Sequence, residues 1–130
     1  MVIAHTYQHF ADVPPEAWRW DDFAPEEVAC RHCGELIIHF ESMDCLQALR
    51  TRLGKPLILN SAYRCLDWNH LCSGSPRSKH LLGKAFDLDL AGHDRDELVA
   101  AALAVGFRGI GKYDTFLHID VRPTPATWTG

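Results

Sequence analysis

The chain reads as an α+β protein with a mainly antiparallel sheet, and three observations predict it. Residues 40–53 and 94–105 carry apolar side chains at the three- and four-residue spacing of amphipathic helices. Residues 85–90 and 115–121 alternate apolar with polar side chains, as half-buried strands do. Helices and strands do not follow one another in regular alternation, so a doubly wound parallel sheet is not expected.

Taken in order, the stretch up to about Pro25 predicts an irregular N-terminal arm, with Trp18, Trp20 and Phe23 as its docking points. In the first helix Met43, Leu46, Leu49 and Leu53 form the apolar stripe, and Gly54 supplies a C-cap. Pro56 then opens a strand over residues 57–63 (LILNSAY), and residues 65–72 form a short helix before the loop SGSPRS. In the strand over 85–90, Phe86, Leu88 and Leu90 face the core while Asp87 and Asp89 face away. Asp94 caps the second helix, whose buried stripe is Leu98, Ala101, Ala102 and Val105, and Gly106 ends it. The last strand, TFLHIDV, sends Leu117, Ile119 and Val121 to one side and Phe116, His118 and Asp120 to the other. There is no internal repeat or low-complexity tract, so residues 1–130 are expected to form one domain.

Composition narrows the partners. Thirteen basic against 17 acidic side chains leave a formal charge of −4, and Lys and Arg do not cluster, so no nucleic-acid partner is expected. The N-terminus lacks a basic start followed by an apolar run, which predicts synthesis in the cytoplasm without a signal peptide and no membrane segment. No feature specifies an oligomeric state. The five cysteines, Cys30, Cys33, Cys45, Cys65 and Cys72, are an odd number, which disfavours a complete disulfide framework. Cys30-Arg31-His32-Cys33 has the spacing of half a zinc clip, with Cys65 and Cys72 available for the other half. A structural ion at Cys30 and Cys33, a Cys30–Cys65 disulfide and buried free thiols are the alternatives, and Cys45 reads as core. Of the other histidines, His5, His9, His32, His39, His70 and His93 match no motif and most are expected to face solvent.

The strand over 85–90 and the strand over 115–121 each carry a polar face. If they pair antiparallel, those faces meet, and His80 in the preceding loop adds a second imidazole to His118 and a carboxylate. Two imidazoles and a carboxylate suit zinc and leave a fourth position for water. Zinc lowers the pKa of such a water to about 7 and polarises a carbonyl beside it, as amide hydrolysis requires. Solvated acids on an outer strand face are the simpler alternative.

The segment Ser78-Lys79-His80, followed by Gly83, Ala85 and Asp87, then Phe116-Leu117-His118-Ile119-Asp120, and upstream Ser61-Ala62-Tyr63-Arg64, resembles the zinc D-alanyl-D-alanine peptidases of the hedgehog/DD-peptidase superfamily. Ala62 stands where the family pattern has glycine, and the likeness runs from about Phe23 to Trp128. The likeness is in particular to the small carboxypeptidase-like domains common in bacteriophage and bacterial cell-wall enzymes. The resemblance implies the hedgehog/DD-peptidase fold and one catalytic zinc ion on His80, Asp87 and His118, with Asp89 left out. It further implies that Arg64 stabilises the oxyanion or holds the substrate carboxylate, for which a fixed guanidinium fork suits. Ser78 would bind substrate near the zinc or only shape its loop, and Tyr113 and Trp128 would line the cleft or close the core. Several relatives carry an acid three positions before the second histidine, where this chain has Thr115. The general base is therefore expected to be Asp120, on the same strand face as His118, or Asp114, one residue further back than the usual acid. Asp120 is favoured, with orientation of a histidine ligand as its other role.

The implied activity is hydrolysis of an amide bond in the peptide stem of peptidoglycan, by carboxypeptidase or endopeptidase action on D-Ala-containing peptides. The L-Ala–D-Glu bond is the alternative target, and a non-catalytic zinc-stabilised wall-binding or phage structural module is the alternative of another class. An endolysin released through a holin, or a virion component, would reconcile a cell-wall substrate with the absent signal peptide.

Overall fold

A computed structural model describes residues 2–130. A two-stranded antiparallel sheet joins β1 (Ala4–Tyr7) to β2 (Leu36–His39). A five-stranded sheet holds β3 (Leu59–Ser61), β4 (Ala85–Asp89), β5 (Gly109–Lys112), β6 (Phe116–Asp120) and β7 (Ala126–Thr129) in the order β3-β4-β6-β5-β7. All of its pairings are antiparallel except β5 with β7. The helices are α1 (Pro25–Val28), α2 (Phe40–Leu53), α3 (Leu66–Leu71) and α4 (Arg95–Val105). The expected α+β class with a mainly antiparallel sheet is what the molecule has.

The two long helices form where their stripes predict. In α2 Met43, Leu46 and Leu49 are buried, and Gly54 ends the helix in the left-handed conformation at φ 68°. In α4 the Asp94 side chain accepts from the Glu97 amide, satisfying one of the first-turn donors, and Leu98, Ala101 and Ala102 are buried. These stripes and the apolar faces of β4 and β6 (Phe86, Leu88, Leu117, Ile119) share one core. The opposite face of the same two strands is thereby left for polar side chains.

Several expectations need correction. The N-terminal arm is not wholly irregular, because β1 pairs with β2, and two 3-10 turns follow (Phe10–Asp12 and Pro15–Ala17). Its docking residues do insert: Trp20 and Phe23 are buried, and the Trp20 indole donates to Asp44 on α2 at 2.8 Å. Only Leu59–Ser61 of the strand expected over 57–63 pairs, with a register irregularity between Leu59 and Ser61, and the Tyr63 amide donates instead to the Val28 carbonyl at 3.2 Å. His39 is buried rather than solvent-facing; its Nδ1 accepts from the Ser42 amide and caps α2. Among the described residues no helix is long and apolar enough to cross a membrane.

Candidate metal centre

Strand pairing sets the first two groups. β4 and β6 run antiparallel with Asp87 directly opposite His118 and Ala85 opposite Asp120, so the polar faces of the two strands merge. His80 comes from the 3-10 turn Lys79–Leu82 just before β4. Ser78 starts that turn, its hydroxyl accepting from the His80 amide at 3.2 Å, and Gly83 ends it at φ 71°. The loop-shaping role weighed for Ser78 is thus present, and the residue also lines the cleft described below.

The hydrogen bonds fix the chemistry of each ring. His80 Nδ1 lies 2.6 Å from the Ala62 carbonyl, which can only accept, so that nitrogen carries the proton and Nε2 is left as a lone pair. His118 Nε2 lies 2.7 Å from an Asp120 carboxylate oxygen, so it is the donor and Nδ1 is left as a lone pair. Both lone pairs face Asp87 Oδ1, at 3.2 Å from His80 Nε2 and 3.1 Å from His118 Nδ1. Three acceptors converging in a buried pocket repel one another unless a proton or a metal cation sits among them. His80 is 1% and Asp87 8% exposed, and one ligand atom from each of the three residues lies within 4.8 Å of the others. Two imidazole nitrogens and a carboxylate are a ligand set of zinc, so the donor chemistry fits that ion.

Electrostatics follow from this convergence. Burial alone would raise the Asp87 carboxyl, but the His118 and His80 rings beside it, which donate to it only when they carry a second proton, outweigh burial and hold the group well below the usual carboxylate range. Burial likewise lowers His118, while Asp120 and Asp87 outweigh that effect and raise it above its ordinary value. In the metal-free chain a proton is drawn to the place a cation would take.

The centre forms the floor of a cleft of about 830 Å³. On its walls stand four basic side chains, Arg64, Arg77, Lys79 and Arg122, while Asp87 is the one acid among the described lining residues. Arg64 lies 3.7 Å from Asp87 Oδ2, its amide donates to the His80 carbonyl, and its buried Nε has no hydrogen-bond partner. Tyr113 also lines the cleft, and its hydroxyl accepts from the Trp128 indole at 3.0 Å.

Neither acid expected to serve as general base is on the cleft wall. Asp120 is completely buried on the far side of His118, with Arg122 clamping it at 2.8 Å to Oδ1 and 2.6 Å to Oδ2. Burial would raise its carboxyl, yet the hydrogen bonds from Arg122 and His118 hold it well below the ordinary range. Asp114 lies exposed in the turn between β5 and β6. Asp89 does not line the cleft, and its carboxylate accepts from the Ala91 amide at 2.8 Å. Arg122 was missed in the sequence, although the alternation Phe116, His118, Asp120 continues to it. Cys72 is another lining residue, whereas Cys30 and Cys33 lie elsewhere, beside Cys65.

The pattern has relatives at the level of a family. A family model described as Peptidase M15 matches residues 21–120 of the 130, a span that holds His80, Asp87 and His118. No curated protein matches the chain. The match over more than half of its length places this chain in the Peptidase M15 family, as a zinc D-Ala-D-Ala carboxypeptidase-like metallopeptidase domain.

Proposed function

We propose that the chain hydrolyses an amide bond in the stem peptide of peptidoglycan, next to a carboxylate of the substrate. The observation that carries this reading is the convergence of three lone pairs, two of them on buried residues, on the floor of a cleft whose walls are cationic. His80 through Nε2, Asp87 through Oδ1 and His118 through Nδ1 would hold the zinc ion. When bound there, zinc supplies Lewis-acid polarisation of the scissile carbonyl and makes water acidic enough to attack it near neutral pH.

The chain's own groups do the rest. Arg64, with an unpaired Nε and a guanidinium beside Asp87, takes up charge developing on the carbonyl oxygen or pairs with the substrate carboxylate. Arg122, tied through Nε and Nη2 to Asp120, and Lys79 add positive potential that draws an acidic peptide into the cleft. Because the Tyr113 hydroxyl accepts from Trp128, its own proton is free to be donated to substrate. Asp120 orients His118: the Nε2–H bond fixes the tautomer and makes Nδ1 a better donor to a cation. We assign it that role rather than proton acceptor, since reaching the cleft would break its bonds to both Arg122 and His118.

A terminal D-Ala-D-Ala offers a free carboxylate at its end, and the D-Glu of an L-Ala–D-Glu linkage offers one as well, so cationic walls suit either. The place of action is then the cell wall, reached after holin-type release or as part of a virion. One observation favours the reading without turnover, a zinc-stabilised wall-binding or phage structural module. No carboxylate other than Asp87 lines the cleft among the described residues. Zinc-loaded protein incubated with D-Ala-D-Ala-terminated and L-Ala–D-Glu-containing stem peptides, followed by mass spectrometry, separates the two. Cleavage that disappears in His118→Ala is expected, and no metal-dependent cleavage of any stem peptide overturns the peptidase reading.

A further inference from the structure

Away from the cleft, the Sγ atoms of Cys30, Cys33 and Cys65 lie within 4.8 Å of one another, and all three cysteines are free. We infer that these three thiolates form a second, structural zinc site. The local backbone is built for it. Cys30-Arg31-His32-Cys33 closes a tight loop in which the Gly34 amide donates to the Cys30 carbonyl at 2.9 Å. Gly34 itself takes φ 79°, a turn that L side chains rarely adopt. The Cys30 amide in turn donates to the Glu35 carbonyl at 2.7 Å, which holds the two ends of the loop together. On the other side, Cys65 caps α3 with its sulfur, which accepts from the Trp68 amide at 3.4 Å. An amide donated to sulfur offsets part of the negative charge that a cluster of thiolate ligands carries.

Three sulfurs at this separation suit one tetrahedral ion, since Zn–S bonds of about 2.3 Å put the sulfurs roughly 3.8 Å apart. A disulfide would use two of them and leave the third sulfur beside it with no role. Thiolate ligands select zinc over harder divalent cations. Cys33 is exposed, so the fourth position faces solvent and takes water or an exogenous ligand. The pair from the N-terminal half and the single cysteine after β3 correct the expected arrangement: Cys65 joins, and Cys72 does not.

The site would pin the loop at residues 30–34 to the segment that carries the cleft. Arg31 already donates to the Leu59 carbonyl, the Tyr63 amide to the Val28 carbonyl, and the Tyr63 hydroxyl to Glu35 at 2.7 Å. Ala62, whose carbonyl orients His80, and Arg64 lie within three residues of Cys65.

Metal analysis of protein purified under anaerobic, zinc-replete conditions tests this. About two zinc ions per chain are expected in the wild type and the Cys45→Ser control, and about one each in His118→Ala, Cys33→Ser and Cys65→Ser. Cobalt substitution gives a reading that needs no cysteine variant. Thiolate-to-cobalt charge transfer is expected in both wild type and His118→Ala, and a site of two histidines and an aspartate cannot produce it. Cobalt bound without that band, zinc content unchanged by Cys33→Ser and Cys65→Ser, or a Cys30–Cys65 disulfide in the anaerobic protein overturns the inference. Zinc content unchanged by His118→Ala would instead count against the cleft centre and leave this site standing.

Discussion

At the scale of single residues, the centre depends on what each ligand does with its second polar atom. Asp120 shows this most clearly: completely buried, it receives two guanidinium bonds, the Arg122 amide at 3.2 Å and the His118 ring at 2.7 Å. Replacing it by Asn keeps the shape and removes the charge, leaving Arg122 without its counter-ion. Breaking a buried pair costs about 3–5 kcal/mol, and Arg122 is partly exposed, so Asp120→Asn is expected to lose about 2–4 kcal/mol in urea unfolding. Its zinc affinity should fall about 10- to 100-fold, the usual cost of losing a hydrogen bond that orients a ligand. A zinc affinity left intact alongside a collapsed kcat would reverse the assignment and make Asp120 the proton acceptor. Arg64 separates binding from chemistry in the other direction. Arg64→Ala should keep its zinc and lose on the order of 100-fold in kcat, as removal of an oxyanion-stabilising donor does. If KM alone rises, the guanidinium holds the substrate carboxylate instead.

At the scale of elements, the site is a consequence of register. A one-residue slip between β4 and β6 would turn Asp87 or His118 into the core, so the buried Phe86, Leu88, Leu117 and Ile119 enforce the metal-binding face. β5 supports that face by having no side chain where Asp120 needs room: a Cβ at Gly109 would overlap the Asp120 carboxylate. Gly109→Ala is therefore expected to cost about 1–3 kcal/mol by overpacking and to weaken zinc binding with it, measured by urea unfolding and zinc titration. Gly54→Ala, which meets no atom within 4 Å but sits at φ 68°, should lose only stability. Stability lost equally in both with zinc affinity untouched would mean that β5 plays no part in the centre. The same strands explain which parts were legible in the sequence. α2, α4, β4 and β6 each pack one face on the core, so burial imprints a period on their residues. β5, GIGK, is buried over three of its four residues and has two glycines, so no alternation marks it. β1 and β7 are short edge strands with little buried area to pattern them. His80, Asp87, His118 and Arg64 were readable because side-chain identity carries their chemistry. The Ala62 carbonyl that sets the His80 tautomer is backbone, and no residue type announces it.

At the scale of the whole molecule, a chain of net charge −4 concentrates four basic side chains around one buried acid, and the stability of the fold is tied to what neutralises its floor. In the metal-free chain the carboxylates of Asp120 and Asp87 favour a proton on His118 as that neutraliser. His118 is raised in the folded state, so its contribution is complete below its unfolded value of about 6.5 and is lost as pH rises through the raised folded value. The depressed carboxyls act with the opposite sign. Asp87 and Asp120 stabilise the fold above about pH 4 and lose that contribution as pH falls through their lowered values. Zinc on His118 Nδ1 displaces the proton, so the high-pH loss belongs to the metal-free protein alone. The gain in stability on adding zinc at the cleft should therefore grow from pH 6 to pH 8. At free zinc one hundred times Kd it amounts to about 2.7 kcal/mol, on the order of 10 °C in Tm for a chain of this size. Thermal unfolding of Cys33→Ser with and without zinc across that range isolates the cleft, because thiolate ligands would add a pH dependence of the same sign. A zinc-induced shift that stays flat with pH would mean that no proton leaves His118 when the metal binds, and would remove that nitrogen from the ligand set.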